Sequence, residues 1–139
     1  MRYMLLLKGD PDPGAMPSPE LIDAMIAYQE DLAKAGVLLA AEGLHDSSQG
    51  ARVVHSKGRR SVIDGPFAES KELIAGYMLI QVGSKEEAVE WASRCPVDVG
   101  LPDDLEAVVE VRQVAEMTDL PDVTDEQRDR EQTLRDQYS

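Results

Sequence analysis

Cysteine and histidine are scarce in this chain, and their scarcity limits the sites it can build. Cys95 is the single cysteine, so no disulfide can form within the chain and no cysteine-based metal site is expected. This cysteine usage is typical of a reducing compartment, and we expect a cytoplasmic protein. The two histidines, His45 and His55, lack the close spacing of metal-binding pairs, so we expect neither a metal nor another cofactor.

Basic residues and long apolar runs are also few. The chain has 14 lysines and arginines against 27 acidic residues, with a net charge of −13. This charge opposes binding to polyanions, so we expect no nucleic acid and no membrane as partner. The apolar run at residues 3–7 is far too short for a membrane span or a signal core, and it predicts a buried strand instead.

Hydrophobic periodicity predicts six strands and two helices within the first 115 of the 139 residues. Helix one is predicted over residues 19–35, with Ser18 as its cap and Gly36 after its end. Helix two is predicted to begin at Ser84, in a capping box with Glu87, and to end at Pro96. The strands are predicted at residues 3–7, 37–44, 51–56, 59–63, 74–82 and 105–114.

The order of these elements predicts an α+β fold. Without the hairpin at residues 51–63 the order is βαββαβ, the ferredoxin-like pattern with both helices on one sheet face. Residues 3–7 and 74–82 are apolar on both faces, so the other face also needs a cover. We therefore predict a homodimer whose sheets pack face to face, a dimeric α+β barrel. Residues 1–115 form the predicted domain, and residues 116–139, with eight acids and three arginines, form an acidic C-terminal tail that is helical or disordered.

Residues 64–72, Asp-Gly-Pro-Phe-Ala-Glu-Ser-Lys-Glu, combine a turn, the only Phe and four charged side chains. A structural interpretation is open for each of them. Gly65 and Pro66 make a tight turn that Asp64 caps through backbone N–H groups. Phe67 anchors the loop in the core, and Lys71 and Glu72 form a surface ion pair.

A functional interpretation is equally open. Asp64 and Glu69 face a cleft as a close carboxylate pair that supplies a base and an acid. His45, with Asp46 beside it to orient its ring, moves protons, unless it is a surface-loop histidine. The candidate catalytic residues are therefore His45, Asp64 and Glu69, and the candidate ligand-binding residues are Phe67, Lys71 and Glu72.

Five segments together carry a family resemblance: MRYMLL at 1–6, GVL at 36–38, DGPFAESKE at 64–72, GY at 76–77 and EWA at 90–92. Over residues 1–114 the chain resembles the DGPF branch of the YCII-related family. The resemblance implies a dimeric α+β barrel of ferredoxin-like protomers, bacterial origin, genomic proximity to extracytoplasmic-function sigma factors, and mostly unknown function. In the wider family a His–Asp pair has been proposed as catalytic or ligand-binding, so the resemblance makes such a pair a candidate site here. One enzyme relative removes chloride from a chlorinated muconolactone-type ring.

Three hypotheses of function follow. The first is binding of a small organic ligand in a cleft near residues 64–72. The second is an enzyme that uses acid–base chemistry on a small organic acid or lactone. The third is a protein-interaction accessory of a sigma-factor system that meets a regulatory protein through its acidic tail.

Overall fold

A four-stranded antiparallel sheet forms the centre of the computed structural model, which describes residues 1–138. Its strand order is β2-β5-β1-β6, and β3 and β4 form a separate hairpin inserted between β2 and β5. This is the predicted ferredoxin-like α+β fold. The elements are β1 (Arg2–Lys8), α1 (Pro19–Lys34), β2 (Leu38–Gly43), β3 (Ala51–Ser56), β4 (Arg59–Asp64), β5 (Ile74–Gln81), α2 (Lys85–Ser93), β6 (Val108–Gln113) and α3 (Asp125–Tyr138).

The two core helices begin where their capping residues predict. The Ser18 hydroxyl accepts a hydrogen bond from the Leu21 backbone N–H at 3.1 Å, and Pro19 occupies the first turn of α1. The Ser84 hydroxyl accepts from the Glu87 backbone N–H at 3.1 Å and caps α2. The Glu87 carboxylate accepts from the N–H of residue 83, one residue earlier than a standard capping box.

The core lies between the sheet and one layer of two helices. The Tyr28 hydroxyl of α1 donates a hydrogen bond to the Trp91 carbonyl of α2 at 2.5 Å, and the two rings meet edge to face at 6.4 Å. Cys95 is 6% exposed, and burial raises the pKa of its thiol to about 11. Cys95 is therefore a core residue. The buried residues are Tyr3, Leu5, Tyr28, Leu32, Val37, Met78, Ile80, Val82, Ala88 and Cys95.

The opposite face of the sheet, here called the open face, has an apolar centre. Met4 of β1 lies beside Leu79 of β5, and Leu6 lies beside Tyr77. These four side chains alternate with the core residues along their strands, so they point away from α1 and α2. They are only partly buried within the chain.

The structure corrects the predicted start of the last strand and decides between the two predicted forms of the acidic tail. The last strand begins at Val108 instead of residue 105, and Leu105 is 58% exposed. The Leu105 N–H donates to the Pro102 carbonyl, so a turn occupies the residues where the apolar alternation predicts a strand. Of the two alternatives for the acidic tail, residues 125–138 adopt the helical one. No helix within residues 1–138 is long and apolar enough to cross a membrane.

The hydrogen bond between α1 and α2 can be tested with Tyr28→Phe. We expect a loss of about 1–2 kcal/mol in the free energy of unfolding, because the Trp91 carbonyl loses its donor in a partly buried place. Tyr3→Phe is the matched control, since the Tyr3 ring is also buried and its hydroxyl forms no hydrogen bond within residues 1–138. Chemical denaturation measures both variants, and an equal effect of the two would contradict this role of Tyr28.

Candidate functional site

A large cavity lies between the N-terminal half of α1, the loop after β1 and the end of β2. Its volume is about 800 Å³. Its lining is mostly apolar and comprises Leu7, Pro11, Gly14, Ala15, Met16, Pro17, Leu21, Ile22, Met25, Ile26, Gln29, Glu42, Gly43, Leu44, His45, Asp46, Gln49, Ala75, Tyr77 and Met78.

The local sequence explains why this space is not filled. The C-terminal half of α1 buries Tyr28 and Leu32 against the sheet, whereas Leu21 and Met25 in the N-terminal half are only partly buried. At the end of the sheet Gly43 of β2 pairs with Gly76 of β5, so neither strand offers a side chain there. A Cβ atom on residue 76 would come within 2.9 Å of the Glu42 carbonyl oxygen, which makes glycine necessary at that position.

The polar groups of the cavity are concentrated at the end of β2 and in the short helical turn after it. Asp46 is 9% exposed, and its carboxylate accepts hydrogen bonds from the Ser48 N–H at 3.0 Å and from the Ser48 hydroxyl. The bond from the Ser48 hydroxyl holds the pKa of Asp46 below its usual value, so the carboxylate is ionised near neutral pH. Asp46 is bound to Ser48, and no hydrogen bond within residues 1–138 joins it to the His45 ring.

Ser47 connects the cavity wall to two other segments. Its N–H and its hydroxyl donate to the two carboxylate oxygens of Asp10 at 2.7 and 2.5 Å. The same hydroxyl accepts from the Phe67 backbone N–H at 3.0 Å. The loop after β1, the turn after β2 and the stretch at residues 64–72 are therefore held by one serine.

The tight packing around Gly65 explains the glycine of that stretch. The Gly65 N–H donates to the Gly50 carbonyl at 3.0 Å. A Cβ atom on Gly65 would lie 1.7 Å from the Ser47 carbonyl oxygen, a distance that no side chain can occupy. The backbone at Gly65 thus lies in close contact with the turn that carries Asp46.

Phe67 does not enter the core, which corrects the structural interpretation of this residue. The Arg52 guanidinium lies over its ring at 3.9 Å from the ring centre, a cation–π contact. Arg52 also lies 3.8 Å from a carboxylate oxygen of Glu69. Phe67 and Glu69 therefore contact Arg52 at the start of the hairpin and stabilise its position. Neither residue lines the large cavity.

The other predicted residues of this stretch are dispersed. Asp64 is exposed, and its carboxylate accepts no hydrogen bond from residues 1–138, so the expected cap is wrong. Lys71 and Glu72 form no ion pair among the described residues. Lys71 lines a separate cavity of about 170 Å³ beside Lys8. The Glu72 backbone carbonyl accepts a hydrogen bond from Lys8 Nζ at 3.0 Å. Of the six predicted site residues, the large cavity includes His45 alone.

Sequence reasoning missed Asp10 and Arg52, and it did not predict the contacts of Ser47. A weak signal existed for Asp10, because it directly follows the first strand in a loop rich in proline. Nothing in the sequence distinguishes Ser47 from Ser48 as the residue that reaches residues 64–72. Within residues 1–138 no group of three or more His, Cys, Asp or Glu side chains is placed to hold a metal ion.

Comparison with known proteins gives a family and one relative. A sequence model of the YCII-related domain matches residues 1–118. An uncharacterised protein of Rhizobium meliloti (strain 1021) is 39% identical over 66 residues, which are 48% of this chain and 53% of that protein. The chain thus spans about half the length of the curated relative it matches.

The close approach at Gly65 predicts that Gly65→Ala is strongly destabilising. We expect a loss of about 1–3 kcal/mol in the free energy of unfolding, because the turn after β2 must move away from the new methyl group. Gly50→Ala is the matched control: its Cβ would lie 3.5 Å from the same Ser47 carbonyl, an ordinary contact. Chemical denaturation compares the two, and a Gly65→Ala variant as stable as the control would contradict the assignment.

Proposed function

The chain belongs to the YCII-related domain family, and from this premise we propose that it binds a small organic molecule in the cavity beneath α1, beside His45. The observation that carries the proposal is the cavity itself. Its volume of about 800 Å³ falls within the range of small-molecule sites, and its wall combines many apolar side chains with a few polar ones.

The chemistry of the wall selects the class of ligand. Among the described lining residues Glu42 and Asp46 are acidic, and no lysine or arginine accompanies them. Glu42 pairs with Tyr77 in the sheet, so its side chain lies on the open face, and Asp46 supplies the negative charge of the cavity. Asp46 is kept ionised by its hydrogen bonds from Ser48. A negative wall repels carboxylates and favours cations, so we propose an apolar molecule with a neutral or cationic polar group. Lys71, one of the candidate ligand-binding residues, borders another cavity.

The stretch at residues 64–72 then acts as a support for the binding site. Ser47 lies between two cavity residues, Asp46 and Gln49, and it also holds the backbone of Phe67. The proposed ligand site therefore lies near residues 64–72, as in the first hypothesis. These residues position the wall of the cavity but do not line it.

An acid–base enzyme remains a second candidate, and one observation favours it. His45 lines the cavity next to an ionised carboxylate, Asp46, and histidine is a common general acid or base in enzymes. A reaction of this kind would use His45 as the proton carrier. Asp64 and Glu69 lie outside the cavity and would take no direct part.

The ligand class can be tested with octylamine, octanol and octanoate in isothermal titration calorimetry. We expect octylamine and octanol to bind at least about tenfold more tightly than octanoate, because the ionised Asp46 repels the carboxylate. Each pair of methylene groups removed from octylamine should weaken binding by roughly tenfold, at about 0.8 kcal/mol for each buried methylene.

Two variants locate the binding. Gly43→Leu adds a side chain at the cavity, where no atom lies within 4 Å of the new Cβ, and it should abolish binding. Ala33→Leu, on the exposed side of α1, is the control for added apolar surface, and Asp64→Asn should also leave binding unchanged. Preferential binding of octanoate, or binding that persists in Gly43→Leu, would refute the assignment.

We further propose that the open face is covered by a second copy of the chain. Met4, Leu6, Tyr77 and Leu79 form a contiguous apolar centre on a sheet face that neither α1 nor α2 covers. Sheets of this kind bury such faces by packing against another sheet. This arrangement is the face-to-face homodimer expected from the sequence.

Leu79→Arg tests the face-to-face homodimer. A charge at the centre of the open face should shift the protein from dimer to monomer in sedimentation velocity at micromolar concentration, because the arginine cannot be buried without a partner. Val89→Arg, on the exposed side of α2, is the control for an added charge. Circular dichroism checks that both variants fold, and a dimer that tolerates Leu79→Arg would place the interface elsewhere.

A further inference from the structure

The strand β6 lies at one end of the four-stranded sheet, and no strand in the described part of the chain pairs with its outer edge. The Val114 N–H donates to the Arg2 carbonyl at 2.9 Å, which fixes the phase of the ladder between β6 and β1. The even-numbered residues of β6 therefore bond to β1. The backbone N–H and carbonyl groups of Val109, Val111 and Gln113 point outward, where they can pair with another strand.

The two edges of the sheet differ in their regularity. At the opposite edge, the pairing of β2 is interrupted by a bulge between Leu38 and Ala40, and bulges disrupt further pairing at an edge. The ladder of β6 is regular from Val108 to Gln113. A regular edge strand is a template for another strand. Of the two edges, β6 is therefore the one suited to pairing.

An open groove of about 470 Å³ follows β6 on the side of the sheet that carries α2. Val109 and Val111 of β6 line it, together with Ala92 of α2. Alternate side chains of a strand added at this edge would lie over the groove, because side chains alternate between the two faces of a sheet. The edge therefore offers apolar surface as well as backbone groups.

The side chains of β6 on the open face carry opposite charges. Glu110 and Arg112 lie on the same face as Leu6 and Met4, their partners in β1. Arg112 Nη1 is 3.4 Å from a Glu110 carboxylate oxygen, and the Arg112 and Glu110 side chains are still 69% and 41% exposed. Both charges can therefore also contact a neighbouring strand.

We propose that β6 of one copy pairs in antiparallel orientation with β6 of a second copy, with Val111 opposite its own copy. Opposite residues of an antiparallel pair share a face, so a twofold pairing always sets one residue opposite itself. Glu110 or Arg112 at that central position would place like charges opposite each other. Val111 at the centre instead places Glu110 opposite Arg112 twice, and such cross-strand pairs of opposite charge are stabilising.

The same register satisfies the outward backbone groups. With Val111 at the centre, Val109 lies opposite Gln113 of the other copy, and these residues are the ones whose N–H and carbonyl groups point outward. Pairing of β6 with β2 of another copy would instead repeat without closing, and the bulge in β2 opposes it. A second β6 is therefore the strand that fits this edge.

The edge contact is distinct from the face-to-face homodimer. It joins two four-stranded sheets into one continuous sheet, with the helices α1 and α2 of both copies on one side and both open faces on the other. Because β6 has only six residues, the edge contact should be weaker than the open-face contact and form at higher protein concentration. Face-to-face dimers would then join in pairs as tetramers.

Charge reversal tests the register in the full chain. Glu110→Arg and Arg112→Glu each place like charges opposite each other, so each variant alone should weaken the edge association at least about tenfold in sedimentation equilibrium. A mixture of the two variants regains both attractive pairs and should associate as the wild type does. Glu30→Arg and Lys34→Glu, exposed on α1, make the same charge changes and should alter the association constant less than about threefold.

The Leu79→Arg variant separates the edge contact from the open-face contact. In this variant we expect a monomer–dimer equilibrium that depends on the charges of Glu110 and Arg112, whereas the wild type should pass from dimer to tetramer. If the open-face homodimer does not exist, the edge dimer should still form in the wild type. A Leu79→Arg chain that stays monomeric up to about 1 mM overturns the edge pairing.

Amide hydrogen exchange followed by NMR locates the contact. The N–H groups of Val109, Val111 and Gln113 should exchange at least about tenfold more slowly at high than at low protein concentration, because they become bonded to the other copy. The N–H groups of Glu110 and Arg112 already bond to β1 and should change little. Circular dichroism checks that every variant folds. Exchange that is independent of concentration, or a mixture of the charge variants that does not regain association, also overturns the proposal.

Discussion

The hydrogen bonds of Ser47 are the constraint on which the rest of this site depends. One hydroxyl donates to Asp10 and accepts from the Phe67 N–H, so three loops separated by dozens of residues meet at a single side chain. The serine therefore fixes the wall of the cavity and the base of the hairpin at the same time. The absence of a side chain at Gly65 is what allows the loops to come this close.

The fold was predictable from the sequence because its determinants are local. The uncharged, mostly apolar runs at residues 3–7 and 74–80 indicate central strands, and the structure places Met78 in the core and Leu79 on the open face. The helix caps depend on residues three positions apart, so Ser18 and Ser84 are visible in the sequence itself. The last strand shows where this reasoning stops. The alternation continues back to Leu105, but a turn bond to Pro102 takes precedence over the pattern.

The candidate site was less predictable because it depends on contacts between distant residues. Phe67 is a large apolar residue of the kind that usually lies in a core. Its ring is instead covered by Arg52, and the position of Arg52 depends on how the hairpin leaves the sheet. Similarly, the cavity exists because the glycines at 43 and 76 meet across two strands beneath the poorly packed half of α1. No local pattern shows that these glycines are neighbours. His45 could be identified from the sequence because it is one of two histidines and follows a strand. The role proposed for it depends on neighbouring residues that only the fold brings together.

The turn at residues 46–50 contributes both negative charge and structural support to the cavity. Residues 46–50 present Asp46 to the cavity, and Ser48 keeps that carboxylate ionised through two hydrogen bonds. The neighbouring Ser47 donates hydrogen bonds to a second carboxylate, that of Asp10. The turn therefore stabilises two carboxylates through hydrogen bonds from its serines, without a basic side chain. A cavity stabilised in this way keeps its negative charge near neutral pH and loses it only as acid protonates Asp46 below the usual pKa of an aspartate. Because protonation of Asp46 would weaken the hydrogen bonds that it accepts from Ser48, the charge of the cavity and the local stability of this turn should change together in acid.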